Sequence, residues 1–496
     1  MSKFSETRLI YCFFIVLFLI CTHGPTAFAQ EILSLQKTLE IAMANSPDIR
    51  RSKYNLERSQ ESLNAQKAAL KSQFSLTLTP ISYTKARQFE TFFSTWNTSE
   101  TKLTAGMFTI RQPIKWTDGT LSLNNRFMWQ DVYSEFRKER SKTFSNNLYL
   151  SYNQPLFTYN RTMLALKELE LDLENSRLSF AIQQLALERQ VTQAFYNVYK
   201  QKLSHQIALE EYQNQQQSYQ IIKNKVDAGL AAKEELYQAE LNLSSSKSKV
   251  ENEKVALEND LDELKRLIGI SLFEEISIVA DVSHQSVQID LQQAIDYGLK
   301  YRMELRQRQI NIENARFDLI RTSAMNEFKG DLTLSYGTIG TNELFDQIYE
   351  KPTKNQQVVV SLEIPLFDWG EKRSRIKASE AVLKSRELSL EDEKNDIIIS
   401  IRQAYRNLNN LETQIELARQ NVRNAELTYD INLERYKNGD LTSMDLSLYQ
   451  NQLSQKKLGL VEALINYKLA LLNMKIQSLW DFERNRPVLP EIKQSR

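Results

Sequence analysis

A chain of 496 residues in which 63 Lys and Arg stand against 62 Asp and Glu carries a formal charge of +1, so nothing in its balance favours nucleic acid or an anionic surface. Only 12 glycines and 9 prolines punctuate it, a scarcity that fits long uninterrupted helices and argues against a globular domain rich in turns. Both cysteines, Cys12 and Cys21, fall within the first thirty residues, so the chain beyond them relies on neither disulfides nor thiol chemistry.

In chain order, Lys3 and Arg8 precede an apolar run from Leu9 to Ile20, and Ala27-Phe28-Ala29 reads as a small-x-small cleavage site. That is the pattern of a secretory signal peptide over 1–29, with an apolar run too short to span a bilayer. Cys21 would carry the lipid of a lipoprotein leader, but Ile20 is bulky where that processing wants a small residue. No later run approaches the ~20 apolar residues of a spanning helix.

Beyond the leader the chain is written twice. Leu35-Gln36-Lys37-Thr38-Leu39-Glu40-Ile41-Ala42 returns as Leu291-Gln292-Gln293-Ala294-Ile295-Asp296-Tyr297-Gly298, an offset of 256 that still holds at Leu76-Thr77-Leu78 against Leu332-Thr333-Leu334. Later positions repeat at an offset of 210: Pro155-Leu156-Phe157 with Pro365-Leu366-Phe367, Tyr219 with Tyr429, and Gly229 with Gly439. The two offsets differ by 46, so the first copy holds an insertion between 78 and 153. The first repeat then covers 30–270, a connector 271–290, the second repeat 291–482, and a C-terminal tail 483–496.

Each copy reads helix, strand, strand, long helix, turn, helix. The strands alternate over 75–79, 147–151, 331–335 and 358–364, and Pro155 and Pro365 end the second strand of each pair, since proline cannot continue a ladder. Arg161 to Asp227 contains no Gly or Pro, and at ~1.5 Å per residue its 67 residues would span ~100 Å. Glu371 to Asn438 matches it, while Thr38 to Gln73 and Ala231 to Ile268 predict helices about half as long. Leu178, Ile182, Leu185, Leu187, Val191, Ala194 and Val198 form an apolar stripe at a coiled-coil-like period, which a water-soluble antiparallel bundle would share. Four strands cannot close a membrane barrel, which takes at least ~8, and an open sheet exposes its edges. Three copies sharing one barrel would supply twelve strands and twelve helical staves.

The insertion, residues 85–146, is aromatic: Phe89, Phe92, Phe93, Trp96, Trp116, Phe127, Trp129 and Tyr133. Met107–Lys115 and Thr120–Trp129 read as strands around a turn at Trp116-Thr117-Asp118-Gly119. The expectation is an extension of the first hairpin beyond the membrane surface; an interfacial girdle and a variable surface loop are the other readings. No phosphate-binding glycine loop, zinc-type His/Cys cluster or nucleophile elbow occurs. His205 lies in a helical run and His284 in the connector.

These residues resemble the outer membrane efflux protein (TolC) family. The resemblance rests on the twin starts at Leu33–Ala42 and Ile289–Gly298, on Ser46-Pro47-Asp48-Ile49, on the Pro-Leu-Phe corners and on the turns at Gly229 and Gly439. It runs from about Leu33 to Phe482. It implies a mainly α fold with a small β part: a homotrimer whose α-helical barrel continues into a 12-stranded outer-membrane β-barrel, four strands per protomer. It implies a duct of a tripartite efflux or type I secretion system, in the outer membrane with a periplasmic helical extension. Its partners would be a periplasmic adaptor, an inner-membrane transporter and outer-membrane lipid. No catalytic residue, cofactor, metal or nucleic acid is expected.

The resemblance also places a gate at the two tip turns. Asp445 falls where such channels often carry a ring aspartate, and three copies would make an anionic constriction favouring cations. An exposed acid favoured by a helix N-terminus is the competing reading. Tyr436, Glu234, Glu235 and Asp440 belong to the same expected constriction, with a Tyr436–Glu234 hydrogen bond as its tie. Leu448 and Leu441 stand where a second ring acid and a basic tie would fall. Gly229, Leu230, Gly439 and Leu441 form the tips expected to dock the adaptor, and Pro155, Pro365 and Gly370 mark the strand-to-helix corners. Two other functions compete. A periplasmic coiled-coil adaptor or scaffold would need a central hairpin flanked by β-domains, and an exported hydrolase would need a site constellation.

Overall fold

The computed structural model describes residues 31–92, 94–438 and 440–488. The leader 1–29 with Cys21, Phe93, the tip residue Gly439 and the tail beyond 488 lie outside the described residues. The elements follow the duplication. In the first copy they are β1 (Glu31–Leu33), α1 (Leu35–Asn45), α2 (Pro47–Ala69), β2 (Gln73–Glu90), β3 (Thr95–Ile114), β4 (Gly119–Ser134), β5 (Glu139–Leu156), α3 (Arg161–Asp227) and α4 (Lys233–Ile268). The second copy has β6 (Ile276–Ile278), α5 (Leu291–Tyr301), α6 (Met303–Ser323), β7 (Lys329–Asn342), β8 (Thr353–Glu363), α7 (Glu371–Lys437) and α8 (Ser443–Ser478).

Two compact units divide these elements. One holds 31–51, 183–298 and 399–488; the other holds 52–182 and 299–398. In the first, β1 pairs parallel with β6, Ile32 opposite Ser277. The apolar stripe predicted on α3 is buried at Leu187, Val191 and Val198, and α7 buries the equivalent Ile397, Ile401 and Leu408. Ile397, Ile401, Ala404, Leu408, Leu411 and Ile415 are all buried at alternating steps of four and three, the spacing of a coiled-coil seam. In the second unit, Leu63 of α2 packs with Leu166 and Leu173 of α3, flanked by Leu56, Leu70 and Leu169. Ser59 adds hydrogen bonds to Asp172 (3.0 Å) and Ser176 (2.7 Å).

Two expectations change. The helix predicted over Thr38–Gln73 is two helices, because Ser46 leaves helical geometry at ψ 131°, as a residue before proline must, and Pro47 restarts the helix. The four strands expected per chain are six. They form one antiparallel sheet in the order β2-β3-β4-β5-β7-β8. The 85–146 insertion lengthens β2 and β5 and supplies all of β3 and β4, because its alternation continues along 20 and 16 residues.

Candidate functional site

The sheet sorts its side chains by face. Hydrogen-bonded neighbours place Phe74, Ile110, Leu123, Leu150 and Tyr336 in one row. Leu121, Tyr152, Leu334 and Val358 form the next. These apolar side chains are exposed along both edge strands, Val358 at 71%. Asn125 and Asn146 interrupt them on the same face. The opposite face carries Gln73, Arg111, Ser122, Ser151, Ser335 and Gln357 in one row, and Ser75, Thr109, Asn124 and Tyr149 in another. Cross-strand hydrogen bonds knit it, Thr109 to Asn124 at 3.0 Å and Asn153 to Thr333 at 3.1 Å. A sheet apolar on one side and polar on the other, with period two, is the pattern of a barrel wall between lipid and water.

The apolar face is bounded at both ends. Toward the helices, Trp116, Phe157, Phe328, Phe367 and Trp369 are exposed, with Trp369 at 90%, and Phe157 lies 5.1 Å from Phe328. Toward the far turns, Phe127, Phe144 and Phe345 meet at centroid distances of 5.6–6.3 Å. Leu121 to Trp129 along β4 corresponds to ~27 Å before tilt, the scale of the ~25 Å apolar band of outer-membrane barrels. Past an irregularity in register between Thr79 and Ser82, the same face becomes charged, with Lys85–Glu100 at 2.7 Å and Arg140–Asp131 at 2.6 Å. No helix among the described residues is long and apolar enough to cross a membrane.

The corners explain how the wall meets the helices. Pro155 sits inside β5 opposite Asp331, past the last β4–β5 pair at Thr120–Asn153, so its missing N–H breaks no ladder there. Pro365 follows the end of β8. At the second corner Asp368 caps α7 alone, its carboxylate accepting from the amides of Gly370 (3.0 Å) and Lys372 (3.1 Å), which hold it below the usual carboxylate range. Gly370 makes the turn at φ 84°, where a side chain is strained. The first corner has Thr158 at the position of Asp368 and Asn160 at that of Gly370. There the cap comes from the insertion: Asp118 accepts from the Thr162 amide at 3.0 Å, and Asn160 donates to the carbonyls of Lys115 (2.8 Å) and Trp116 (3.0 Å). Asn160 also accepts from the Met163 amide at 2.7 Å. The Trp116–Gly119 turn therefore lies at the helix end of the sheet. That corrects the expected extension beyond the membrane surface: β3 and β4 pair along the whole band and return to the corner. Sequence reading missed Asp118; its signal was the absence of an acid before α3.

At the helical tips the two copies close with the same bonds. Ala228 and Leu230 donate to Asn224 and Lys225, as Asn438 and Asp440 donate to Glu434 and Arg435. Gly229 takes φ 71°, the left-handed value of a helix C-cap. Leu230 is exposed at 79%, Leu441 is half-buried, and Glu234, Glu235 and Asp440 are exposed. The starts of α4 and α8 differ. Ala232 offers α4 no side-chain cap, whereas Thr442 accepts from the Asp445 amide and donates to its carboxylate at 2.7 Å. Asp445 is thus the third residue of a capping pair. The Tyr436 hydroxyl is buried with no hydrogen-bond partner among the described residues, and Lys225, not Glu234, sits over its ring at 5.9 Å.

The model of the outer membrane efflux protein family matches residues 120–270 and 299–475, one segment in each repeat. No curated protein sequence matches the chain. Solved structures share its fold. The CmeC outer membrane channel of Campylobacter jejuni aligns with a TM-score of 0.70 at 14% identity, over 93% of this chain and 88% of that one. The outer membrane protein VceC of Vibrio cholerae aligns at 0.66 and 14%, over 90% and 95%. The open state of the MtrE outer membrane channel of Neisseria gonorrhoeae aligns at 0.65 and 14%, over 92% and 90%. With two copies of the family's unit matched and this fold around them, the chain belongs to the outer membrane efflux protein family, its sheet in the outer membrane and its helical part in the periplasm.

Proposed function

We propose that the chain forms, as a homotrimer, the exit duct of a tripartite efflux or type I secretion system. A periplasmic adaptor and an inner-membrane transporter supply the cargo and the energy, so the duct itself performs no bond-making step. The observation that carries this is the two-faced sheet: an apolar face bounded by aromatics, backed by a polar face that can line water. Detergent-extracted protein is expected to run as a trimer and to conduct ions in a planar bilayer. A monodisperse, water-soluble monomer would sink the reading.

The helical tips are the proposed gate and docking end. Gly229, Leu230, Gly439 and Leu441 present the turns to the adaptor. Asp445, Asp440, Glu234, Glu235 and Tyr436 belong to the constriction, in which three Asp445 carboxylates would favour cations. The periplasmic adaptor or scaffold reading leaves the apolar face of the sheet, Val358, Val360 and Leu362 included, without a solvent it fits.

A further inference from the structure

The sheet has two edges. β2 and β8 stand at opposite ends of its ladder and do not pair with each other. Each edge carries part of the apolar face: Phe74, Leu76 and Leu78 on β2, and Val358, Val360 and Leu362 on β8, all exposed. Inside hydrocarbon an open edge leaves its amides and carbonyls unsatisfied, so a spanning sheet must close. One copy cannot close it, since membrane barrels start at about 8 strands. The strand directions indicate what can. β2 leaves helix α2 and β8 returns toward helix α7, so β8 of one copy and β2 of the next meet antiparallel. Facing matches as well, because Ser75 and Thr77 share the polar face with Gln357 and Ser361.

We propose that β8 of each copy pairs with β2 of its neighbour and that three copies close an 18-stranded barrel, not the 12-stranded one the family resemblance implies. The inference rests on the trimeric reading above. The six added strands are β3 and β4 of each copy. The insertion of 46 residues is long enough for these strands, of 20 and 16 residues, and their turns. A pair is the smallest addition that leaves β5 with its direction and its faces unchanged. The repeats record this: Leu76 matches Leu332 and Leu150 matches Val360, and all four point to the apolar face. The added hairpin is part of the wall. It pairs without a break from Ser99–Ser134 to Ile114–Gly119, and Asp118 and Asn160 fasten its turn to α3. At equal tilt, diameter grows with strand number, so this barrel is about 1.5 times as wide as one of twelve strands and about 2.25 times larger in section.

No cysteine follows Cys21, so paired cysteines test the edges cleanly. Full-length protein would carry Ser75→Cys or Thr77→Cys together with Gln357→Cys or Ser361→Cys, in every combination, and be oxidised in lipid vesicles. At least one combination is expected to give dimer and trimer bands on a non-reducing gel, and images of the particle in nanodiscs should count 18 strands. A cross-link confined to one chain, or a ladder that stops at the dimer, overturns the proposal. Twelve strands in the images, or no cross-link in any combination of a protein that still conducts as a trimer, overturns the barrel and leaves the duct standing. A water-soluble monomer overturns the duct reading itself.

Discussion

At the scale of single residues, the two strand-to-helix corners solve one problem by different means. A helix start leaves amides without partners, and an acceptor side chain must meet them. In the second copy Asp368 does so from within the corner, and Gly370 bends the chain at φ 84°. In the first copy the acceptor is Asp118, forty-four residues before the Thr162 amide it meets. Asp118→Ala should therefore weaken α3 and the β3–β4 turn together, by about 1 kcal/mol and up to about 2. Gly370→Ala meets no atom within 4 Å, so its effect is backbone strain alone, about 1 kcal/mol. Urea unfolding of both variants in vesicles checks this. The acid before α7 was legible in the sequence, whereas its replacement before α3 was not, because a cap from a distant turn leaves no local trace.

At the scale of elements, the sheet is defined by its faces and the helices by their seams. Leu150 and Ser151 are neighbours in β5 with opposite surroundings, one on the apolar row and one on the polar row. Leu150→Arg is expected to destabilise the folded protein in lipid by about 2–4 kcal/mol, and Ser151→Arg by much less. Folding titrations in vesicles distinguish them, and equal effects would mean that the faces are misassigned. Between helices, Arg306 of α6 holds Glu174 of α3 with two bonds of 2.6 and 2.9 Å, and Glu313 at 2.9 Å. The hydrogen bond from Arg306 lowers the Glu174 carboxyl below its ordinary value. A lowered carboxyl stabilises the fold above its unfolded pKa and stops doing so as pH falls through the folded one. Thermal stability should thus drop on acidification below the ordinary carboxylate range, and Glu174→Gln should flatten part of that drop. The pair is partly exposed, so its worth at neutral pH is about 1 kcal/mol.

At the scale of the whole molecule, function depends on copies of the chain meeting. Asp445 is held by Thr442 within its own helix start, which gives it a structural role in one copy. A selectivity role exists only if three copies bring it to an axis. Asp445→Ala should then lower the cation preference of the channel, read as a shift in reversal potential under a salt gradient. Thr442→Ala, which removes the cap but keeps the acid, should leave the preference in place. A reversal potential unchanged in the first variant would assign Asp445 to capping alone.

The sequence by itself determined the duplication, the long helices from Arg161 and Glu371, the alternating strands and the family, because periodicity and offset are local or repeated signals. It carried the strands of the insertion too, at Met107–Lys115 and Thr120–Trp129, yet not where they belong. Alternation says that a segment is a strand with two unlike faces; it does not say which strand lies beside it. Only the ladder shows that β3 and β4 stand within the wall between β2 and β5 and that their turn returns to the helix end. Pairing is a property of hydrogen bonds between distant backbones, and those bonds turned an expected outer loop into a third of the sheet.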